Sequence, residues 1–186
     1  MDIGKLYVAP VNFIGGSGTG KTSIMKQVCF KIFDTRYRKT IGLDVFYVDY
    51  HTDQDCVKLQ VWDTAGDELY WSMGKKYLER SYAIVVVYDI TNRESFEKVD
   101  DYLNEIEKIT PFVETIVLCG NKSDLEDGRQ VSYDEGKQLA DFYGIPMFFE
   151  TSAKDDTNIS SLFTCISNSY LESKRNFLSD QKSLKT

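Results

Sequence analysis

Between a short apolar run and a helix-like stretch stands Gly15-Gly16-Ser17-Gly18-Thr19-Gly20-Lys21-Thr22. The spacing G-x-x-x-x-G-K-[ST] suits a loop that wraps a row of phosphates. Glycines let the backbone come close, so that successive N–H groups point inward at phosphate oxygens. The helix that follows adds the positive end of its dipole. Lys21 supplies a point charge for β- and γ-phosphates, and the Thr22 hydroxyl can coordinate Mg²⁺. The candidate phosphate contacts are therefore Gly15, Ser17, Gly18, Thr19, Gly20, Lys21 and Thr22, with Ser23 adjoining them. This pattern asks for a nucleoside diphosphate or triphosphate and does not choose the base.

A second cluster ends an apolar run as Trp62-Asp63-Thr64-Ala65-Gly66. An Asp at the carboxyl end of a strand beside a phosphate loop can hold Mg²⁺ through a water. Gly66 can offer its backbone N–H to a γ-phosphate without side-chain hindrance. The base is addressed by Asn121-Lys122-Ser123-Asp124 and Thr151-Ser152-Ala153-Lys154. Guanine carries two adjacent donors, N1–H and the 2-amino group, and one carboxylate can accept both, which suits Asp124. Adenine would leave that carboxylate unpaired, so the site discriminates. The Lys122 stem can lie over the ring, Asn121 can tie the pocket segments together, and a backbone N–H near Ala153, flanked by Ser152 and Lys154, can reach the guanine 6-oxo group.

Apolar periodicity shows what must position these groups. Strand-like runs lie at Val11–Ile14, Val45–Tyr50, Val57–Trp62, Ala83–Tyr88, Thr115–Cys119 and Met147–Phe149. Between them, Phe96, Val99, Leu103 and Ile106 form one helical stripe, and Ile159, Leu162, Phe163, Ile166 and Tyr170 form another. Alternating strand and helix predicts an α/β fold: a six-stranded, mostly parallel sheet with helices on both faces. The polar stretch His51–Asp55 is too short for a crossover helix, so the second and third strands form an antiparallel edge hairpin with His51 in its turn. Pro10 is expected as the first residue of the first strand. Residues 1–176 read as one domain and 177–186 as a loose tail, because periodicity fades there.

The chain has 186 residues and a formal net charge of −7, which argues against a nucleic-acid binder. The longest apolar run, the six residues Ala83–Tyr88, is too short to span a bilayer. No positively charged, apolar segment opens the sequence and Asp2 stands where myristoylation needs glycine, so neither a leader nor that lipid is expected. The four cysteines, Cys29, Cys56, Cys119 and Cys165, show no metal-ligand spacing and read as buried reduced thiols. A cytoplasmic location, or a peripheral one on cytosolic membrane faces, is expected.

Together these residues resemble the Ras superfamily of small GTPases over residues 3 to 172, with its P-loop G-domain. The Rab branch is the most similar, through Thr40-Ile41-Gly42 with Phe46, Lys58–Gly66, Val87–Thr91, Glu150–Lys154 and the spacing from Lys21 to Thr40. The resemblance implies a switch that binds GTP or GDP with Mg²⁺. It implies that Phe33 packs edgewise on guanine, that Tyr37 joins the nucleotide contacts, and that Thr40 gives its hydroxyl to Mg²⁺ when the γ-phosphate is present. The metal set is then Thr22, Thr40 and Asp63. The catalytic set is Lys21, Thr40, Gly66 and Asp67. Switch segments at 33–44 and 66–76 would meet effector proteins, an exchange factor and a GTPase-activating protein, with Leu69, Tyr70, Trp71 and Met73 divided between core and partner face.

Two departures stand out. The family usually has Gln after the Asp-Thr-Ala-Gly run, where it orients the attacking water, and here that residue is Asp67. An ionised Asp is shorter and only accepts hydrogen bonds, and it sets negative charge beside an anionic transition state, so slow intrinsic hydrolysis is expected. The last cysteine is Cys165, so no prenylation box closes the sequence, and membrane contact is expected only indirectly or through residues outside this chain. The alternatives are a Rab-like adaptor or stable complex subunit with little turnover, as in ciliary transport, and, remotely, a small-molecule P-loop kinase. Arg36 and Arg38 are expected as solvated switch residues rather than a cis arginine finger.

Overall fold

The computed structural model describes residues 5–36, 38–40, 42–52, 55–64, 76–111 and 113–183. Six strands appear: β1 (Lys5–Ile14), β2 (Leu43–His51), β3 (Asp55–Thr64), β4 (Ala83–Asp89), β5 (Thr115–Asn121) and β6 (Met147–Thr151). They form one sheet in the order β2-β3-β1-β4-β5-β6. Only β2 and β3 pair antiparallel, as the short connection requires. The helices are α1 (Lys21–Phe30), α2 (Arg93–Ile109), α3 (Tyr133–Phe142) and α4 (Ile159–Ser183).

The central strand β4 is buried along its whole length, because helices cover both faces there. Its alternate residues serve two cores. Val85 and Val87 join Val11, Phe13, Val117 and Cys119 beneath α1 and α4, where Phe13 stacks on Phe163 with ring centroids 5.8 Å apart. Ile84, Val86 and Tyr88 join Leu118 beneath α2 and α3, against Val99, Leu103, Ile106 and Ala140. Both predicted helical stripes face these cores. The Asn92 side chain caps α2 by accepting the Ser95 N–H at 3.2 Å, and Ser132 with Glu135 forms a reciprocal capping box on α3.

Several expectations need correction. Pro10 lies inside β1 rather than at its start. Its missing N–H is tolerated because pairing with β4 begins only at Val11, while its carbonyl still accepts the Tyr82 N–H at 2.9 Å. His51 is the last residue of β2, opposite Cys56, and not a turn residue. Cys119 is fully buried and its thiol is pushed up to about 12 by burial, but Cys29, Cys56 and Cys165 are only half-buried. The last helix continues through Ser183, beyond the fading of its apolar stripe, and residues 175–179 are exposed on it. The strand order reverses between β1 and β4, so a crevice opens above their carboxyl ends.

Candidate functional site

The loop from Gly15 to Gly20 leaves β1 at that crevice and feeds α1. Gly15 has φ +143°, and a Cβ there would lie 2.1 Å from the Val87 carbonyl oxygen. Gly20 has φ +97°, and a Cβ there would lie 2.2 Å from Asn121 Nδ2. Only glycine allows these two approaches. Lys21 folds back over the loop and donates to the carbonyls of Gly15 and Gly16 at 2.8 and 3.0 Å. Burial pulls its ammonium down to about 8, against the opposing pull of Asp63.

Three oxygen-bearing side chains meet at the next turn. Thr22 Oγ1 lies 2.8 Å from Thr40 Oγ1 and donates to Asp63 Oδ2 at 2.5 Å. The other carboxylate oxygen, Asp63 Oδ1, is buried with no partner among the described residues. Burial pushes the Asp63 carboxyl up to about 6, against the Thr22 hydrogen bond and the charges of Lys21 and Lys26. A buried cation short of an anion stands beside a buried carboxylate short of a cation. Hard oxygen donors with an orphaned carboxylate oxygen fit Mg²⁺.

The base end is tied together more densely. Asn121 is 1% exposed and donates from Nδ2 to the Thr19 carbonyl at 2.9 Å, while its Oδ1 accepts from Thr151 Oγ1 at 3.1 Å. Asp124 Oδ1 accepts from Ser152 Oγ at 2.7 Å, and Lys154 Nζ lies 3.6 Å from Oδ2. Each carboxylate oxygen keeps a free lone pair. Lys122 holds a left-handed φ of +67°, a strained state for a lysine, with its Nζ 2.5 Å from Asp89 Oδ2.

Residues 11–172 match the family model described as "Ras family". The chain is 41% identical over 157 residues to "Ras-related protein RIC1" of Oryza sativa, covering 84% of this chain and 77% of that protein. It is 38% identical over 166 residues to "Ras-related protein RABD2a" of Arabidopsis thaliana, covering 89% and 81%. It is 38% identical over 167 residues to "GTP-binding protein YPT1" of Saccharomyces cerevisiae, covering 90% and 81%. The chain belongs to the Ras family.

In this Ras-family chain one cavity of about 380 Å³ joins the two ends of the crevice. Ser17, Gly18, Gly20, Lys21, Thr22 and Ser23 line its phosphate end, and Phe33 and Thr40 line its outer wall. Asn121, Lys122, Asp124, Ala153 and Lys154 line the base end. Gly15, Thr19, Asp63 and Ser152 stand behind this lining and act through the contacts already given. Tyr37, Gly66 and Asp67 lie outside the described residues, as do Leu69, Tyr70, Trp71, Met73 and most of the segment 66–76. Arg36 is exposed and paired to Asp34 at 3.3 Å, and Arg38 also lines the cavity.

Four lining residues were not singled out from the sequence: Lys26, Asp34, Thr35 and Leu125. Leu125 directly follows Asp124 in the turn that leads to the 3₁₀ turn Glu126–Gly128. Lys26 had a legible signal. It follows Thr22 by four residues on α1, so both share one helical face.

Proposed function

We propose that this chain is a guanine-nucleotide switch that binds GTP and GDP and hydrolyses GTP slowly. The observation that carries this is Asp124, oriented by Ser152 and Lys154 at the far end of the cavity from the phosphate loop. A carboxylate there can accept both guanine donors. The similarity to the GTP-binding protein YPT1 supports the same ligand. Lys21 and the loop N–H groups hold the phosphates, and Lys122 and Asn121 hold the base and its loop. Thr22, Thr40 and Asp63 would hold Mg²⁺, which screens phosphate charge when bound. Thr40 then ties the segment 33–44 to the phosphate end, and Gly66 would tie 66–76 in the same way. Loss of the γ-phosphate removes both ties.

Effectors read that difference, and exchange and GTPase-activating proteins drive it, in vesicle traffic as the Rab resemblance suggests. Val45, Tyr47 and Tyr77 are exposed near these segments, and the Tyr77 ring lies 4.4 Å from Trp62, which supports a partner-facing surface. Among the described residues no helix is long and apolar enough to cross a membrane. Hydrolysis proceeds by in-line attack of water on the γ-phosphate, with positioning and charge neutralisation supplying most of the acceleration. Asp67 donates no hydrogen bond when ionised, so the water is poorly oriented.

A second possibility is favoured by Asp67 alone: a GTP-holding adaptor or complex subunit with little turnover. Denaturing freshly purified protein and separating the released nucleotide by chromatography discriminates the two. GDP supports the switch, retained GTP supports the adaptor, and no guanine nucleotide, bound or loadable, overturns both. In single-turnover assays Asp67→Gln is expected to hydrolyse GTP faster by about tenfold or more. Equal rates would remove Asp67 as the cause of slow turnover.

A further inference from the structure

Among the described residues, Lys26 is the cavity-lining charge on a regular helix that the proposed function leaves without a task. It sits one turn after Thr22 on α1 and faces the same cavity, half-buried. Among the described residues its ammonium makes no hydrogen bond or ion pair. The neighbouring cations differ. Lys21 is bonded to two loop carbonyls, and Arg36 is occupied by Asp34. Across the β2–β3 pair, the exposed Asp44 stands opposite Asp63, which lies behind the cavity lining. Lys26, Thr22 and Thr40 line the same cavity, one helical turn separating Lys26 from Thr22.

We propose that Lys26 is a built-in cation of the nucleotide site: it offsets Asp63 and the bound phosphates, so that nucleotide is retained with reduced dependence on a divalent cation. The inference rests on the guanine-nucleotide assignment above. A fixed positive charge does two opposed things. It attracts the phosphates whether or not Mg²⁺ is present, and it repels Mg²⁺ from the Asp63 carboxylate. Replacing it by a neutral side chain of similar length therefore weakens the metal-free complex and strengthens Mg²⁺ binding to the nucleotide-loaded protein. A merely structural lysine would move neither in that opposed sense.

The test uses the full chain loaded with a fluorescent GDP analogue. Release is followed after adding excess unlabelled GDP, once with millimolar Mg²⁺ and once with EDTA. The release rate in EDTA divided by that in Mg²⁺ is the readout, with Mg²⁺ titrated back to obtain its affinity. Lys26→Met is expected to raise that ratio by about tenfold and to tighten Mg²⁺ binding. Lys26→Arg is expected to stay near the parent, and Lys26→Gln to repeat the effect should the Met variant fold poorly. Neutral variants with the parent's ratio would overturn the proposal, and so would an Arg variant that behaves like Met. If the parent binds no guanine nucleotide at all, the functional assignment falls with it. If the parent binds and only the ratios coincide, the assignment stands and Lys26 has no such role.

Discussion

The two ends of the crevice are built differently. At the base end, side chains from four separate places in the chain are bonded to one another across elements. Asn121 joins β5 to Thr19 of the phosphate loop and to Thr151 of β6, and Ser152 joins β6 to Asp124. Arg129 holds Glu150 through two nitrogens at 2.6 and 2.8 Å and also binds Glu126. On the opposite wall, residues 31–36 and 38–40 form no helix or strand, and most are exposed. Among the described residues Asp34 bonds only to Arg36, and Thr40 reaches the core of the site through one hydroxyl contact to Thr22. The base end is held by contacts within the protein itself. The outer wall is placed by few contacts, so a ligand's phosphates and metal can decide where it sits. Fixed recognition and ligand-dependent display are thus divided between two walls of one cavity.

The largest effect should come from the prearranged end. Asp124→Ala removes the acceptor pair while sparing the core. Guanine nucleotide affinity is expected to fall about a hundredfold or more, because the guanine donors then lose their partner in a desolvated pocket. Fluorescent GDP titration measures it, with the thermal midpoint as a check on folding. A loss of less than tenfold would mean that the base is held by something other than this carboxylate.

An intermediate effect is expected at Arg129, which braces the base end from behind without lining the cavity. Arg129→Met leaves Glu150, only 12% exposed in its side chain, without its bidentate partner. The expected cost is about 1–3 kcal/mol of stability. For a chain of this size that lowers the thermal midpoint by about 3–9 °C. Guanine over adenine selectivity should be retained, since Asp124 keeps Ser152. Loss of selectivity with an unchanged midpoint would place Arg129 in recognition rather than bracing.

The same division explains what could be read beforehand. The residues proposed for phosphate and base fall in short motifs at strand ends, so the meeting of Lys21, Thr22, Asp63, Asn121 and Asp124 at one crevice is legible from type and spacing, and the strand and helix stripes from period. The hairpin followed from connection length alone. Pro10 was misplaced because strand length on one side and pairing on the other are separate facts, and only the register reveals that β4 begins to pair at Val11. The apolar stripe fades near residue 176 while α4 runs to Ser183, because a helix can run on without burying a stripe once its first turns are docked. Arg129 went unnoticed because its partners lie 3 and 21 residues away on different elements, a pairing that no local pattern announces. Lys26 was visible as a helical neighbour of Thr22, but its exposure to the cavity depends on how α1 packs.

The smallest effect tests whether the two walls are independent. Lys31, which closes α1 with φ +54°, reaches across to Asp156 with Nζ 2.7 Å from Oδ2. Lys31 lies two residues before Phe33, and Asp156 two residues after Lys154, so this ion pair spans the walls beside the base. Both side chains are substantially exposed, at 57% and 36%, and solvent screens such a pair strongly. Asp156→Asn is therefore expected to speed release of fluorescent GDP by less than about fivefold. The acceleration should shrink as ionic strength rises to about 1 M, where screening already removes the attraction in the parent. Exchanging the charges, with Lys31→Asp and Asp156→Lys together, should restore most of the parent rate at low salt. Because both residues hold left-handed backbone, the exchange also separates charge from conformation. If neither single variant nor the exchange alters release, the outer wall is held at the base by Phe33 and the nucleotide alone. If Asp156→Asn accelerates release and the effect is indifferent to salt, the contact acts through the Asp156 backbone rather than through its charge.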